Sequence, residues 1–119
     1  MNEFNSLKEI AKFFDMNYIH FLRYEDHTVD YNGTTYLLEP SPDAPVPMVR
    51  IGYFDDEGDL HLLMAIAELG IVIAQEGENG EDKLQLFEYV DIIHNELFGL
   101  SFYDLARFNY ILKRAVRDM

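Results

Sequence analysis

Asn32-Gly33 constrains this chain more than any other two residues. A type I′ turn needs positive φ at both central positions, which Asn-Gly tolerates, and its twist matches the strands it joins. Val29, Tyr31, Thr35 and Leu37 fall on alternating positions around it. The pattern predicts a hairpin with strands at 27–31 and 34–39. A two-residue connection joins only antiparallel strands, so the sheet it seeds is antiparallel.

Further punctuation supports the same architecture. All four prolines lie between Glu39 and Pro47. Proline removes a backbone donor and pushes its predecessor toward extended geometry, so this stretch reads as a loop. Val46 to Phe54 reads as a strand, and Asp55-Asp56-Glu57-Gly58 as the turn after it. Leu60 to Ile66 has two readings. Its Leu, Met and Ala content suits a helix capped by Asp59 and stopped by Gly70. The Asp/Gly cluster between two apolar runs instead marks a turn, and a strand is preferred. Ile71 to Gln75 is a short strand, and Glu76 to Asp82 a polar loop.

Helical spacing appears at both ends. Leu7, Ile10, Ala11 and Phe14 make one face of a helix over Asn5 to Asp15, with Ser6 or Asn5 as cap and Glu9 completing a capping box. Tyr18 to Tyr24 is either a strand or an extension of that helix. A second helix is expected from Asp82 or Glu81 to about Phe98, with Leu86, Val90, Ile93 and Leu97 as its apolar stripe and Gly99 as its stop. Ser101 caps a third, whose buried face is Leu105, Phe108, Leu112, Ala115 and Val116. The expected class is α+β: an N-terminal helix, a mostly antiparallel sheet of four to five strands built from hairpins, and two C-terminal helices packed on one face. At 119 residues, all of it belongs to a single compact domain.

Composition narrows the function. An apolar content of 49%, with nine Phe and eight Tyr, is too rich for a disordered acidic tail. The absence of cysteine rules out disulfides, prenylation, palmitoylation and Cys-ligated zinc or iron–sulfur sites. The N-terminal stretch lacks the features of a secretory signal, and the longest apolar-rich run, Leu60 to Ala74, is too short to span a bilayer. A cytoplasmic location is the default expectation, with no membrane partner.

The formal charge of −13 is unevenly distributed. Residues 1–24 are neutral, residues 25–96 carry seventeen acids against Arg50 and Lys83, and residues 97–119 carry net +2. Two loops concentrate the acid: Asp55, Asp56, Glu57 and Asp59, then Glu76, Glu78, Glu81 and Asp82. Like charges so close repel within the Debye length of about 8 Å. Such a field steers association with a basic partner, whereas an isolated acidic turn is merely solvated.

Other chemistry lacks its parts. From Asp55 an EF-hand would need Gly at position 6, which is Leu60, and Glu at position 12, which is Ile66. His20, His27, His61 and His94 form no metal-ligand spacing, although the first three would make a zinc cluster if they lay on adjacent strands. Ser6 and Ser101 are caps, and Ser41, like them, lies in no nucleophile elbow. No phosphate-binding glycine motif occurs. No catalytic residue, metal or cofactor is therefore expected.

Tyr103, Arg107, Tyr110, Arg114 and Arg117 form one stripe of the last helix. Tyrosine and arginine are enriched in interface hot spots, yet basic residues also complement a helix C-terminus. This stripe is the expected secondary interface. The leading expectation is a small acidic protein-binding module. It would be an inhibitor, immunity or anti-defence protein that docks on a basic partner, such as a nucleic-acid enzyme or toxin, without binding nucleic acid itself. The alternative is a homodimer or other homo-oligomer, structural or adaptor, built through the C-terminal helices. A metal-dependent or acid–base enzyme is the third.

Overall fold

A computed structural model describes residues 7–76, 82–95 and 102–118. The elements run α1 (Leu7–Phe21), β1 (His27–Tyr31), β2 (Thr34–Ser41), β3 (Met48–Phe54), β4 (Leu60–Ala67), β5 (Gly70–Glu76), β6 (Asp82–Glu88), α2 (Tyr89–Asn95) and α3 (Phe102–Asp118). The strands form one antiparallel sheet in sequential order, β1 to β6. The α+β class is thus observed, with six strands where four to five were expected.

Cross-strand pairs decide which residues share a face. Val29 opposes Tyr36. Leu38 opposes Ile51, Ile51 opposes Met64, and Met64 opposes Ile73. Val49 opposes Ile66, which opposes Ile71. These residues are buried, and all but Val29 belong to one core cluster with Leu7, Ile10, Ala11, Phe14, Tyr18 and Phe21 of α1, Tyr89 and Ile92 of α2, and Phe108, Ile111, Leu112 and Ala115 of α3. The three helices therefore share one face of the sheet. A bulge between Ile51 and Gly52 leaves Leu63 as the extra residue of β4, so Leu63 and Met64 are both buried although adjacent in sequence.

The other face carries Leu37, Leu60, Leu62, Ala65, Val72, Ala74, Leu84 and Leu86, and no described helix covers it. Leu60, Leu84 and Leu86 are 50%, 62% and 50% exposed. Arg50 and Glu39 face each other across β2 and β3 on this side and form an ion pair.

The first hairpin forms as its turn demands. Asn32 has φ of 50° and Gly33 of 79°, both positive as a type I′ turn requires. Leu60 to Ile66 is a strand, as preferred. Tyr18 to Phe21 extends α1, because Tyr18 and Phe21 continue the apolar face at the eleventh and fourteenth positions after Leu7. Phe13, Phe14 and Phe21 form an aromatic cluster with centroids 5.8 to 6.1 Å apart.

Three expectations need correction. The first concerns 82–88, which is strand β6 and not the opening of a helix. Leu86, Val90 and Ile93 do lie at helical spacing, but Leu84 and Leu86 also alternate with Gln85 and Phe87, and seven backbone pairs with β5 favour the strand. The helix starts at Tyr89, so its buried side is Tyr89 and Ile92, while Val90 is 56% exposed. Asp82 is a strand residue opposite Glu76, not a helix cap. The second concerns the proline loop, because β2 continues through Pro40 to Ser41. β1 pairs only as far as Leu38, so the missing Pro40 N–H deprives no neighbouring strand of a hydrogen bond. The third is Val116, which is exposed rather than buried. Gly99, Glu81 and the caps Ser6 and Ser101 lie outside the described residues.

Candidate functional site

A sequential antiparallel meander brings alternate turns to the same end of the sheet. The β1–β2, β3–β4 and β5–β6 connections share one end, and the β2–β3 and β4–β5 connections share the other. The first acidic turn and the strand ends that flank the second acidic stretch therefore lie at the same end of the sheet. Asp55, Asp56, Glu57 and Asp59 lie in the β3–β4 turn, while β5 ends at Glu76 and β6 begins at Asp82 at that same end. Glu78 and Glu81 fall outside the described residues.

Asp55 organises its turn. Its Oδ1 accepts the backbone N–H groups of Glu57 and Asp59, each at 2.9 Å. Its Oδ2 lies 2.6 Å from His61 Nε2, and the His61 ring stacks on Tyr53 at 5.1 Å. The backbone closes the turn through Asp55 N–H to the Asp59 carbonyl and Gly58 N–H to the Asp55 carbonyl. The His61 hydrogen bond, then those from the backbone amides, hold the Asp55 carboxyl below its ordinary range. The Asp55 carboxylate thus fixes the loop that displays Asp56, Glu57 and Asp59 to solvent.

The C-terminal stripe is partly packed against its neighbours. Tyr110 stacks on Tyr31 with centroids 4.6 Å apart. The Arg107 guanidinium lies 5.6 Å from the centroid of the Phe108 ring. Arg107 and Arg114 are half-buried and Arg117 is exposed. Tyr103 belongs to α3, though its side chain is not among those described. The histidines do not converge. His20 sits on α1 beside Tyr24, 2.8 Å from its hydroxyl; His27 opens β1; His61 is at the opposite end of the sheet beside Asp55. Among the described residues, no group of histidines and carboxylates could hold a metal ion.

A second acidic feature was not anticipated. At the β4–β5 end, Asp15, Glu68, Leu69, Glu88, Tyr89, Val90 and Ile93 line a cleft of about 370 Å³. Gly70 seats the turn beside it: a Cβ there would lie 2.2 Å from the Phe87 carbonyl oxygen, so only glycine lets β5 approach β6 this closely. Tyr89 N–H then donates to the Leu69 carbonyl at 3.0 Å, which ties α2 to the turn. Beneath it, Tyr18 donates to the Pro47 carbonyl at 2.5 Å. Burial, with the Glu68 charge, raises the Tyr18 phenol; burial, then the charges of Asp15 and Tyr18, raises the Tyr89 phenol further. Both stay protonated at neutral pH. In sequence these residues are dispersed, and the helical spacing around Leu86 places Glu88-Tyr89 inside a helix, so no local pattern marks them.

Comparison with protein-family models, curated proteins and solved structures finds no match for this chain. No described helix is long and apolar enough to cross a membrane.

Proposed function

We propose that this chain is a small acidic protein-binding module that docks on a basic partner. The observation that carries this reading is the convergence of the β3–β4 turn with the strand ends Glu76 and Asp82 at one end of the sheet. Asp56, Glu57 and Asp59 stand on a turn already fixed by Asp55, so little conformational entropy remains to be lost on binding. Fixed carboxylates suit charge-assisted hydrogen bonds to Arg and Lys. The partner class is a basic protein, with a nucleic-acid enzyme or toxin as the kind whose cationic channel carboxylates occupy in place of phosphates. An inhibitor or immunity protein works in this way.

The test is a charge reversal that spares the organiser. D56K/E57K/D59K should abolish salt-sensitive capture of basic proteins from the native host while leaving the fold intact. Capture that persists, with the same salt dependence, would remove the proposal.

A homodimer is the second reading, and the helix-free sheet face supports it better than the C-terminal helices do. That face presents Leu37, Leu60, Leu62, Leu84 and Leu86, and its central charges, Arg50 and Glu39, neutralise each other. An exposed apolar patch of this kind marks an interaction surface, although Asp30 and Glu88 also lie on this face.

A further inference from the structure

β6 ends the sheet, and among the described strands it is paired on one side only, by β5. Its outer edge therefore presents the N–H and C=O groups of every other residue, which is a template for a further strand. The opposite edge is less open. β1 has five residues, and α3 packs against it, with Tyr110 stacked on Tyr31. Proteins blunt sheet edges with short strands, prolines, bulges or charges placed along the strand. β6 has seven residues, no proline and an unshifted register with β5. Lys83 stands next to its first residue and leaves residues 84–87 uncharged.

The residues of β6 carry a pattern independent of the free edge. On the face that no described helix covers, β6 reads Asp82, Leu84, Leu86, Glu88 by register. Leu84 and Leu86 are 62% and 50% exposed, and Glu88 is exposed as well. Two leucines between two acids match a strand that carries two apolar residues between two bases. A second copy of β6 does not match. In the antiparallel register that sets Leu84 against Leu86, Asp82 of each copy would oppose Glu88 of the other, and like charges directly opposite destabilise a pair.

We infer that the outer edge of β6 takes up an extended basic segment of a partner protein as an added antiparallel strand. Its apolar residues would lie beside Leu84 and Leu86, with a lysine or arginine opposite Asp82 and another opposite Glu88. In such strand addition main-chain hydrogen bonds supply the affinity, and alternate side chains supply the choice of partner. The inference rests on the reading that this chain docks on a basic partner, and it names the part of that partner that docks. Asp82 lies at the end of the sheet shared with the Asp55–Asp59 turn, so the added strand would start or finish beside that turn.

The test is an NMR titration of the whole chain with the peptide Lys-Thr-Leu-Thr-Leu-Thr-Lys, blocked at both termini. Shifts should centre on residues 82–88, with NOEs between α-protons of the peptide and of β6. The same peptide with glutamate for both lysines should bind at least about tenfold more weakly. The lysine peptide N-methylated on its three central residues keeps its charge and side chains but loses the N–H donors that face β6, and it should not bind. D82N/E88Q should weaken binding of the lysine peptide severalfold. Equal affinity for the glutamate or the N-methylated peptide, or shifts centred away from β6, would overturn the inference. So would NOEs between two copies of β6 in the free protein, which would put a second copy on the edge. D56K/E57K/D59K should bind the lysine peptide as the wild type does, so failure of the edge and failure of the acidic turn are read apart; loss of binding in that variant would move the docking site from the edge to the turn.

Discussion

The Tyr110 ring stacks on Tyr31 with centroids 4.6 Å apart and planes inclined by 21°. This contact joins the last helix to the first hairpin, two elements separated by most of the chain. Tyr110 is 37% exposed, so the stack stands at the surface edge of the core. Such pairs contribute about 0.5–1.5 kcal/mol beyond their buried area. A double-mutant cycle of Tyr110→Ala and Tyr31→Ala, read from denaturant midpoints, should return a coupling in that range. Additive effects would mean that the rings merely lie near each other, and Tyr110 would return to the list of residues available to a partner.

Asp55 gives a pH dependence whose sign follows from its hydrogen bonds. Its carboxyl is held below the ordinary value, so its contribution to stability is present above the unfolded pKa of about 3.9 and is lost as pH falls through the lower folded value. The Glu57 and Asp59 amide shifts should therefore titrate together with a midpoint below about 3.9. D55A should abolish that titration and loosen the turn at neutral pH. If these amides titrate at or above the ordinary aspartate value, Asp55 does not organise the loop.

Gly70 and Gly33 separate two reasons for a glycine. At Gly33 a Cβ meets nothing, but φ is +79°, so Gly33→Ala should cost about 1–2 kcal/mol of backbone strain. At Gly70 the added Cβ would strike the Phe87 carbonyl oxygen and the Glu88 Cα. Gly70→Ala must therefore part β5 from β6 and distort the seat of Tyr89. It should cost more than Gly33→Ala, by overpacking of about 1–3 kcal/mol added to a lost strand pairing. Urea midpoints of the two variants check the order, and the reverse order would contradict the close approach of the strands.

What could be read from sequence depended on whether its signals were local. The Asn32-Gly33 turn is a local steric demand, and the face Leu7, Ile10, Ala11, Phe14 is a local period; both were legible. Residues 82–88 satisfied two periods at once, and only pairing with β5 decides between them, which no window around Leu86 contains. That one ambiguity hid a strand, moved the start of α2 to Tyr89 and concealed the cleft, whose residues come from distant parts of the chain. The acidic loops were legible as composition. That the Asp55–Asp59 turn shares an end of the sheet with Glu76 and Asp82 was not, because it follows from the order of strands. Asp55 could not be told from Asp56 by charge, since what separates them is the geometry of the turn and the position of His61 after it.

The open sheet face gives the last prediction. Leu84 and Leu86 lie on β6, pointing away from the helices, while Gln85 and Phe87 point toward them. Replacing both leucines by lysine leaves the core residues untouched and adds charge where a second copy would meet the sheet. If the chain dimerises through this face, sedimentation equilibrium should show a wild-type dimer insensitive to salt, and L84K/L86K should be monomeric with an unchanged far-UV spectrum. Buried charges of like sign across a two-fold axis cannot be relieved by rotation of two packed sheets, so the loss should be near complete. A wild type that stays monomeric, or a dimer that survives L84K/L86K, would remove this face as the interface.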